Sequence, residues 1–255
     1  MLDRFFPMIK LKIPLEQFDE LPQNPAYKYE YFDQTAWLSP RPKTYDAFLR
    51  LTPTDVPEIV DAEGTVVFRP LAEADWEKLP QLFARAFHRV QPLSSLDDTK
   101  KLEAAQACID HTRRGGDGPV IDEACFVAVR REDNEVCGAI LITLLPDRDP
   151  EDWGGHKWKG PPPVDWRERA LGRPHLTWIF VGPWEARWGV GGALLDRVAG
   201  PLLGLGYKEL DSTFLLGNES STLWHWKNGF VLRPFLGSPS RWRKRSGAGG
   251  PNPPG

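Results

Sequence analysis

Residues 175–195 of this chain read HLTWIFVGPWEARWGVGGALL, and the fold prediction starts from this stretch. It opens with an apolar run at residues 176–181, rich in β-branched and aromatic side chains, which predicts a buried strand. A Gly-Pro turn follows, then Gly189, Gly191 and Gly192, and an apolar pattern with helical spacing begins at Val190. The sequence therefore predicts a strand, a glycine-containing loop and a helix in direct succession.

A strand, a glycine loop and a helix in this order form an anion-binding device. Glycines let the backbone approach a ligand closely, and the first helical turn leaves N–H groups unpaired where the helix dipole favours negative charge. A Walker loop does not fit, because no Lys-Ser/Thr pair follows the glycines. A dinucleotide fingerprint does not fit either, because Leu194 stands where its third glycine belongs. The alternative is a strand-to-helix turn without a ligand.

The glycine loop has a closer match. Val181-x-Pro183 followed by RWGVGGALL at residues 187–195 resembles the pyrophosphate loop of the GCN5-related N-acetyltransferase (GNAT) family. The family's Arg or Gln falls on Ala186, and Arg187 lies one place later. A second element resembles the family's Asn-led helix, which carries a Tyr four residues before a closing Gly-Phe: here Asn218 leads, and His225 stands at the Tyr position. The resemblance covers about residues 65–235.

The resemblance implies a fold and an activity. The fold would be α/β, a mixed and mostly antiparallel sheet flanked by helices, with central parallel strands at 176–181 and 209–216 splayed apart. The pattern places a strand at 65–69, helices at 74–87 and 94–114, and a hairpin at 124–130 and 136–145 before them. Asp98 is placed for a capping box in the second helix. The activity would be direct transfer of an acetyl group from acetyl-CoA, the co-substrate, to a primary amine.

The resemblance also implies cofactor-binding residues. Phe180, Val181 and Gly182 would run beside the pantetheine arm, with the Val181 N–H polarising the thioester carbonyl. Asn218 would cap its helix and touch the cofactor. Backbone N–H groups of the loop would hold the pyrophosphate, those of Arg187, Trp188, Gly189, Val190, Gly191, Gly192 and Ala193.

Two histidines are the candidate catalytic residues. Where the family often has a carboxylate base, this chain has Thr177, and His175 shares its strand face, so His175 is the candidate base. An acceptor that arrives neutral, or a water chain, would need no such base. His225 is the candidate acid for the leaving thiolate, because a protonated imidazole is a good donor near neutral pH. The alternative for His225 is an ordinary surface histidine.

The chain divides into four predicted parts. Residues 1–60 form a β-rich extension with a hairpin turning at Asp33-Gln34, or alternatively an interaction module. Residues 61–236 form the acetyltransferase domain. Its insertion at 146–174, rich in Trp and Pro, is either a lid over the acceptor or a Trp-anchored surface insertion. Residues 237–255 are a Gly/Pro/Arg tail predicted to be disordered.

Composition narrows the remaining choices. A net charge of -3 with 41% hydrophobic residues is globular and gives no pointer to nucleic acid, and no apolar run is long enough to span a membrane. Three cysteines without C-x-x-C spacing predict reduced thiols in a cytoplasmic protein and no zinc. The acceptor would be a small-molecule or peptide amine, and a homodimer stays open. The rival functions are a non-catalytic acyl-CoA-binding or regulatory module, and a partner-binding protein on the same scaffold.

Overall fold

The computed structural model of the chain describes residues 9–22, 27–40, 44–53, 65–90, 93–148, 157–215 and 218–233. Within these ranges the chain forms ten strands and five α-helices. The strands are β1 (Ile9–Lys12), β2 (Tyr27–Phe32), β3 (Thr35–Pro40), β4 (Thr44–Arg50), β5 (Val66–Pro70), β6 (Phe126–Arg130), β7 (Val136–Leu145), β8 (Arg173–Val181), β9 (Glu209–Leu215) and β10 (Val231–Leu232). The helices are α1 (Leu15–Asp19), α2 (Leu79–Ala86), α3 (Asp98–Arg113), α4 (Val190–Gly204) and α5 (Glu219–Lys227).

A seven-stranded sheet in the order β10-β4-β9-β8-β7-β6-β5 forms the centre of the molecule. Every neighbouring pair in it is antiparallel except β8 and β9, which run parallel. β7 reads VCGAILITLL and is buried along its whole length, as expected of a central strand covered on both faces. Helices α2 and α3 pack together and α2 lies on β7 and β8, while α4 also contacts β6, β7 and β8. The sheet is thus the mixed, mostly antiparallel one that was predicted.

The two parallel strands pair only briefly. His175 lies opposite Asp211 and Leu176 opposite Ser212, and the strands pair no further. Just beyond, β8 carries a bulge: Leu141 faces Trp178 and Ile142 faces Leu176, so Thr177 is the extra residue between them. We call the gap between residues 177–181 of β8 and residues 213–215 of β9 the fork. The predicted splayed strands are confirmed.

The N-terminal residues belong to two different sheets. β1, β3 and β2 form a separate three-stranded sheet, in which the predicted hairpin turns at Asp33 and Gln34 with φ of 47° and 52°. β4, by contrast, pairs along its whole length with β9 in the main sheet. Its Ala47 is buried in the same core as the strands beyond it. The boundary predicted at residue 60 is therefore placed too late, because β4 already belongs to the main sheet.

Two predicted helix starts differ from the structure. The first helix begins at Leu79 rather than residue 74, because Pro80 fits only the first turn of an α-helix and residues Glu73–Asp75 form a 3-10 turn instead. The second begins at Asp98, and its cap is Asp97, whose carboxylate accepts the Lys100 N–H at 2.9 Å. Asp98 is therefore the first helical residue and not the third-position partner in a capping box.

The described part of the Trp-rich insertion is anchored in the protein. The Trp158 indole N–H donates to the Leu144 carbonyl at 2.8 Å, and Trp166 is 6% exposed within the main core. The Tyr207 hydroxyl donates to the Leu171 carbonyl, which ties the insertion to the residues just before β9. These contacts lie at the closed end of the fork, so they support the anchored insertion over the lid. Residues 149–156 and the tail at 237–255 lie outside the described residues.

Three further features bear on the kind of site this fold holds. Among the described residues no helix is long and apolar enough to cross a membrane. In the same residues no group of three or more His, Cys, Asp or Glu side chains is arranged to hold a metal ion. Cys108, Cys125 and Cys137 are free and buried, and burial raises the pKa of each thiol to about 12.

Candidate functional site: the fork and its glycine loop

The glycine loop follows β8 at the open end of the fork. The turn is closed by the N–H groups of Glu185 and Ala186, which donate to the Gly182 carbonyl at 3.1 and 3.0 Å. Gly189 then adopts φ of 76°, a left-handed conformation that glycine tolerates best, and α4 begins at Val190. The predicted order of strand, glycine loop and helix is present, with the helix N-terminus beside the fork.

Some backbone N–H groups of the loop already donate hydrogen bonds within the protein, and others do not. The Ala193 N–H donates to the Gly189 carbonyl at 3.0 Å, so it is already engaged within the helix, and its contact with a pyrophosphate stays a prediction. The Gly182 N–H donates to the Cys137 carbonyl at 2.7 Å and is likewise not available to a cofactor. Because N–H groups alternate along a strand, the Val181 N–H is directed to the other edge, towards the fork. The N–H groups of the first turn of α4, including that of Gly192, have no hydrogen-bond partner within the helix, because no helical carbonyl precedes them by one turn.

A buried ion pair stiffens the loop. Glu185 is 3% exposed, and its carboxylate lies 3.2 Å from Nη1 of Arg130 on β6. Arg130 also binds Asp133 at 2.7 Å. The pair neutralises an acidic side chain that would otherwise repel an anion at the loop. Arg187 and Trp188 are exposed beside it.

Helix α5 covers the beginning of α4. A Cβ built on Gly191 would lie 2.9 Å from Nε1 of Trp224, and one on Gly192 would lie 3.3 Å from Oδ1 of Asn228. Gly191 is therefore needed for the close approach of the Trp224 indole, whatever its contact with a ligand. A bulky substitution at Gly191 would disturb the packing of the two helices and cannot serve as a clean test of cofactor binding.

His225 differs from its predicted role as a protonated acid. It is 4% exposed, stacked on Phe214 with ring centroids 4.1 Å apart. Burial lowers the pKa of His225 to about 4, opposed only in part by the hydrogen bond to the Ser221 carbonyl. Nδ1–H donates to that carbonyl at 2.7 Å, and Nε2 accepts the Ser212 hydroxyl at 2.8 Å. A ring that is neutral at pH 7 with both nitrogens engaged is no imidazolium donor, and neither is it a surface histidine.

Asn218 begins α5 as predicted. Its side-chain oxygen accepts the Ser221 N–H at 3.1 Å, a capping bond that fixes the start of the helix. The cap orients the turn that carries Ser221, and Ser221 in turn holds the His225 ring. Contact between Asn218 and a cofactor stays a prediction.

His175 lies on the opposite face of the sheet, within a chain of hydroxyl groups. Its Nδ1 is 3.1 Å from Oγ1 of Thr177, and its Nε2 is 3.1 Å from Oγ1 of Thr213 on β9. The Thr213 hydroxyl also donates to Oδ1 of Asp46 on β4 at 3.3 Å. Thr177 in turn contacts Thr143 on β7 at 2.8 Å. The chain crosses four neighbouring strands at the point where the fork opens.

The closed end of the fork is held by ion pairs. The Asp211 carboxylate accepts hydrogen bonds from Nη2 of Arg148 at 2.8 Å and from Nη2 of Arg233 at 3.1 Å. It accepts a third hydrogen bond from Arg173. Burial opposes the charge of Asp211, but the bond from Arg173 and the charges of Arg148 and Arg233 outweigh it and lower its pKa. Each arginine comes from a different segment, so this carboxylate joins the insertion, β8 and the end of β10 to β9.

Sequence reasoning missed several residues of the site: Asp46, Ser212, Thr213 and Trp224. A signal was present in β9, where Asp211, Ser212 and Thr213 stand in succession inside a predicted central strand. Three polar residues in such a strand must be satisfied from both faces, which points to a polar site there. No comparable signal marks Asp46, because its partner is far away in the sequence.

Comparison with protein-family models gives no match, and no curated protein matches the chain. Solved structures do resemble it. One is a GCN5-related N-acetyltransferase from Sphaerobacter thermophilus, with 16% identity and a TM-score of 0.45; the similarity covers 76% of this chain and 50% of that one. This chain thus spans about half the length of that protein.

Two further structures cover a larger share of the neighbour. A GNAT family acetyltransferase from Brucella melitensis, in complex with acetyl-CoA, has 18% identity and a TM-score of 0.43 over 68% of this chain and 90% of its own. The PaiA N-acetyltransferase from Thermoplasma acidophilum, in complex with coenzyme A, has 15% identity and a TM-score of 0.44 over 68% and 94%. The description of the fold of this chain rests on its own strand order and on the separation of β8 and β9, and not on these similarities.

Proposed function

We propose that this chain is an acetyl-CoA-dependent N-acetyltransferase that moves an acetyl group directly to a primary amine. The observation that carries the proposal is the fork, which opens at the bulge of β8 and has the N-terminus of α4 at its open end. A helix N-terminus suits a diphosphate, and an open strand edge suits an extended amide-containing arm. The sequence resemblance to the GNAT loop supports the same ligand.

The cofactor would lie along the fork with its phosphates at the loop. The first-turn N–H groups of α4 and the exposed segment Arg187 to Gly189 would hold the diphosphate. Phe180 and Val181 would flank the pantetheine arm, and the Val181 N–H would stabilise the oxyanion that develops on the thioester carbonyl. Asn218 would support this side through the start of α5.

The acceptor amine would approach from the face that carries His175. When the amine nitrogen attacks the carbonyl carbon, it must lose a proton. Thr213 can pass this proton to Nε2 of His175, and a protonated His175 can then donate to Thr213 while Thr213 donates to Asp46. The charged imidazolium would thus be stabilised by a carboxylate through one hydroxyl group. His175 would act as the base, and Asp46 would stabilise it.

The loop assignment can be tested by reversing a charge. We expect Arg187→Glu to weaken coenzyme A binding about tenfold, about 1.4 kcal/mol, because it places a carboxylate beside the phosphates. Lys208→Glu is the matched control, since Lys208 is also exposed but lies beyond the far end of α4. Calorimetric titration of both variants measures the difference. Equal coenzyme A affinities for the two variants would contradict the assignment of the phosphate-binding site to this loop.

A binding-only module remains the second candidate, and one observation favours it: the residue at the family's Tyr position is buried and neutral. Thiol release from acetyl-CoA with a panel of amines separates the two functions. An enzyme releases thiol in proportion to a productive amine, whereas a binding module protects the thioester. The same panel would distinguish small-molecule from peptide acceptors.

A further inference from the structure

The proposed base works only if one nitrogen of its ring, Nε2, lacks a hydrogen. Thr213 lies on the Nε2 side of His175, so Nε2 has to accept the proton that comes from the amine through Thr213. We propose that Thr143 of β7 is a positioning residue that holds neutral His175 in the tautomer with its hydrogen on Nδ1. Thr143 acts through Thr177, and its role rests on the proposed function of His175 as the base.

The chain of hydroxyl groups beside His175 has a direction. Thr143 is 0% exposed, and its hydroxyl donates to the Asp117 carbonyl at 2.9 Å. Because a hydroxyl group has one hydrogen, Thr143 must accept at its other contact, Oγ1 of Thr177 at 2.8 Å. The hydrogen of Thr177 is then used, so Thr177 can only accept from Nδ1 of His175, 3.1 Å away. Nδ1 therefore carries the hydrogen, and Nε2 keeps its lone pair.

The acceptor at the end of this hydroxyl chain is fixed by the backbone. The segment that follows Asp117 runs beside β7, where the Leu144 N–H donates to the Pro119 carbonyl at 2.8 Å. Gly118 permits this approach, because a Cβ built there would overlap the Leu144 carbonyl oxygen. A carbonyl oxygen accepts hydrogen bonds and cannot donate them. The Asp117 carbonyl thus sets the direction of the bonds that lead from Thr143 to the ring.

The opposite direction fits the distances less well. It would place the hydrogen on Nε2, from which the ring would donate to Thr213, and Thr213 would donate to Asp46. That last contact measures 3.3 Å, whereas a hydroxyl bond to a carboxylate is usually about 2.5 to 2.7 Å long. The two bonds of Thr143, at 2.8 and 2.9 Å, have the usual length of hydroxyl bonds. In the resting protein Thr213 is therefore the donor to Nε2.

The reaction balances with this tautomer. The amine nitrogen forms a bond to the carbonyl carbon and gives a proton to Oγ1 of Thr213, while the hydrogen of Thr213 passes to Nε2. The carbon–sulfur bond breaks, and its electron pair leaves on the sulfur. The imidazolium of His175 then donates to Thr213 from Nε2 and to Thr177 from Nδ1, and Thr213 donates to Asp46. Thr143 gives up no proton and touches no reacting atom.

The tautomer of His175 can be measured without any ligand. Nitrogen-15 NMR distinguishes a ring nitrogen that carries a hydrogen from one with a lone pair, and the His175 signals are those that disappear in His175→Gln. Once the pH is high enough for a neutral ring, we expect the wild-type hydrogen on Nδ1. In Thr143→Val the Thr177 hydroxyl can donate to Nδ1 instead. We expect the tautomer ratio to shift about fivefold towards hydrogen on Nε2, the usual effect of one hydrogen bond.

Control variants separate the hydroxyl of Thr143 from its packing. Thr143→Ser keeps the hydroxyl and should keep the wild-type ratio. Thr112→Val removes another hydroxyl of a residue that is 0% exposed, but one that bonds to the Cys108 carbonyl and the Asp117 carboxylate, so the ratio should not change. Should Thr143→Val not fold, Thr177→Val removes the acceptor of the Nδ1 hydrogen and should shift the ratio in the same direction.

The outcomes separate the role of Thr143 from the proposed function. An unchanged tautomer ratio in folded Thr143→Val overturns that role, and so does a wild-type hydrogen on Nε2. A His175 ring that keeps both hydrogens up to about pH 10, far above the usual pKa of about 6.5, overturns it as well. A wild-type protein with the expected tautomer that transfers no acetyl group to any amine overturns the proposed function alone.

Discussion

Burial decides what His225 can do. The sequence places a histidine near the end of a short helix, where a charged surface residue and a catalytic acid look alike. The structure encloses the ring among Phe214, Trp224 and Phe230, and this burial lowers its pKa. Phe214 lies on a strand that precedes the helix, and a periodicity argument does not reveal which of its neighbours it will meet. Gly189 and Asn218 were predictable because their roles depend on local backbone geometry.

The buried neutral His225 predicts a pH-dependent stability. Its folded-state pKa of about 4 lies below the value of about 6.5 in the unfolded chain, so the unfolded state binds the proton first as the pH falls. Stability should therefore decrease on acidification from about pH 6.5 towards 4. Between pH 7 and 5 we expect the wild-type free energy of unfolding to drop by about 2 kcal/mol more than that of His225→Gln.

Urea unfolding of the two proteins at the two pH values measures this difference. His88→Gln is the matched control, because His88 is exposed and should leave the wild-type pH dependence intact. If the free energy of unfolding of the wild-type protein and of His225→Gln changed with pH in parallel, the His225 ring would have the same pKa in the folded and the unfolded states.

At the scale of elements, most of the sheet could be predicted and most of the connections could not. β7 and β8 are marked by long apolar runs, and α4 by helical spacing after its glycines. The start of α2 was misplaced because its apolar spacing continues into residues that Pro80 keeps out of the α-helix. The insertion was ambiguous because tryptophan suits a lid and an anchor equally well. Its hydrogen bonds to the core support the anchor for the described part.

The anchored insertion predicts a stability effect for Trp166. We expect Trp166→Ala to lower the free energy of unfolding by about 3 kcal/mol or more, because it leaves a cavity under the insertion. Trp226→Ala is the control: that side chain is 72% exposed and should change stability by less than about 0.5 kcal/mol. Denaturant titration gives both values. A Trp166→Ala protein with unchanged stability and a raised acceptor KM would instead support the interpretation of the insertion as a lid.

At the scale of the whole molecule, β4 makes the last part of the N-terminal region a member of the main sheet. β4 covers the outer edge of β9, and Ala47 and Leu51 enter the main core. The sequence predicted a β-rich extension here but not the partner of β4, since pairing between distant strands depends on register and shared burial rather than on local pattern. The small sheet of β1, β2 and β3 has its own cluster around Tyr27 and Leu38.

Two truncations that differ by seven residues test this division. Removal of residues 1–43 should leave a folded main sheet, because β4 is retained. Removal of residues 1–50 should give an aggregating or unfolded protein, because it opens the edge of β9 and takes Ala47 from the core. Size-exclusion chromatography and thermal unfolding compare the two. Equal behaviour of the two truncated chains would place β4 outside the main fold.

The pairing of β4 with β9 also sets an order of events during synthesis. The Thr213–Asp46 bond joins residues 167 positions apart, so β4 leaves the ribosome long before the strand it needs. Contacts this distant form slowly, and β4 must wait without its partner while β5 to β8 are made. Since β9 is also one side of the fork, the edge of the sheet and the candidate site are completed in the same late step. A nascent chain that stops before residue 209 has neither, so acquisition of cofactor binding would report the closure of the sheet.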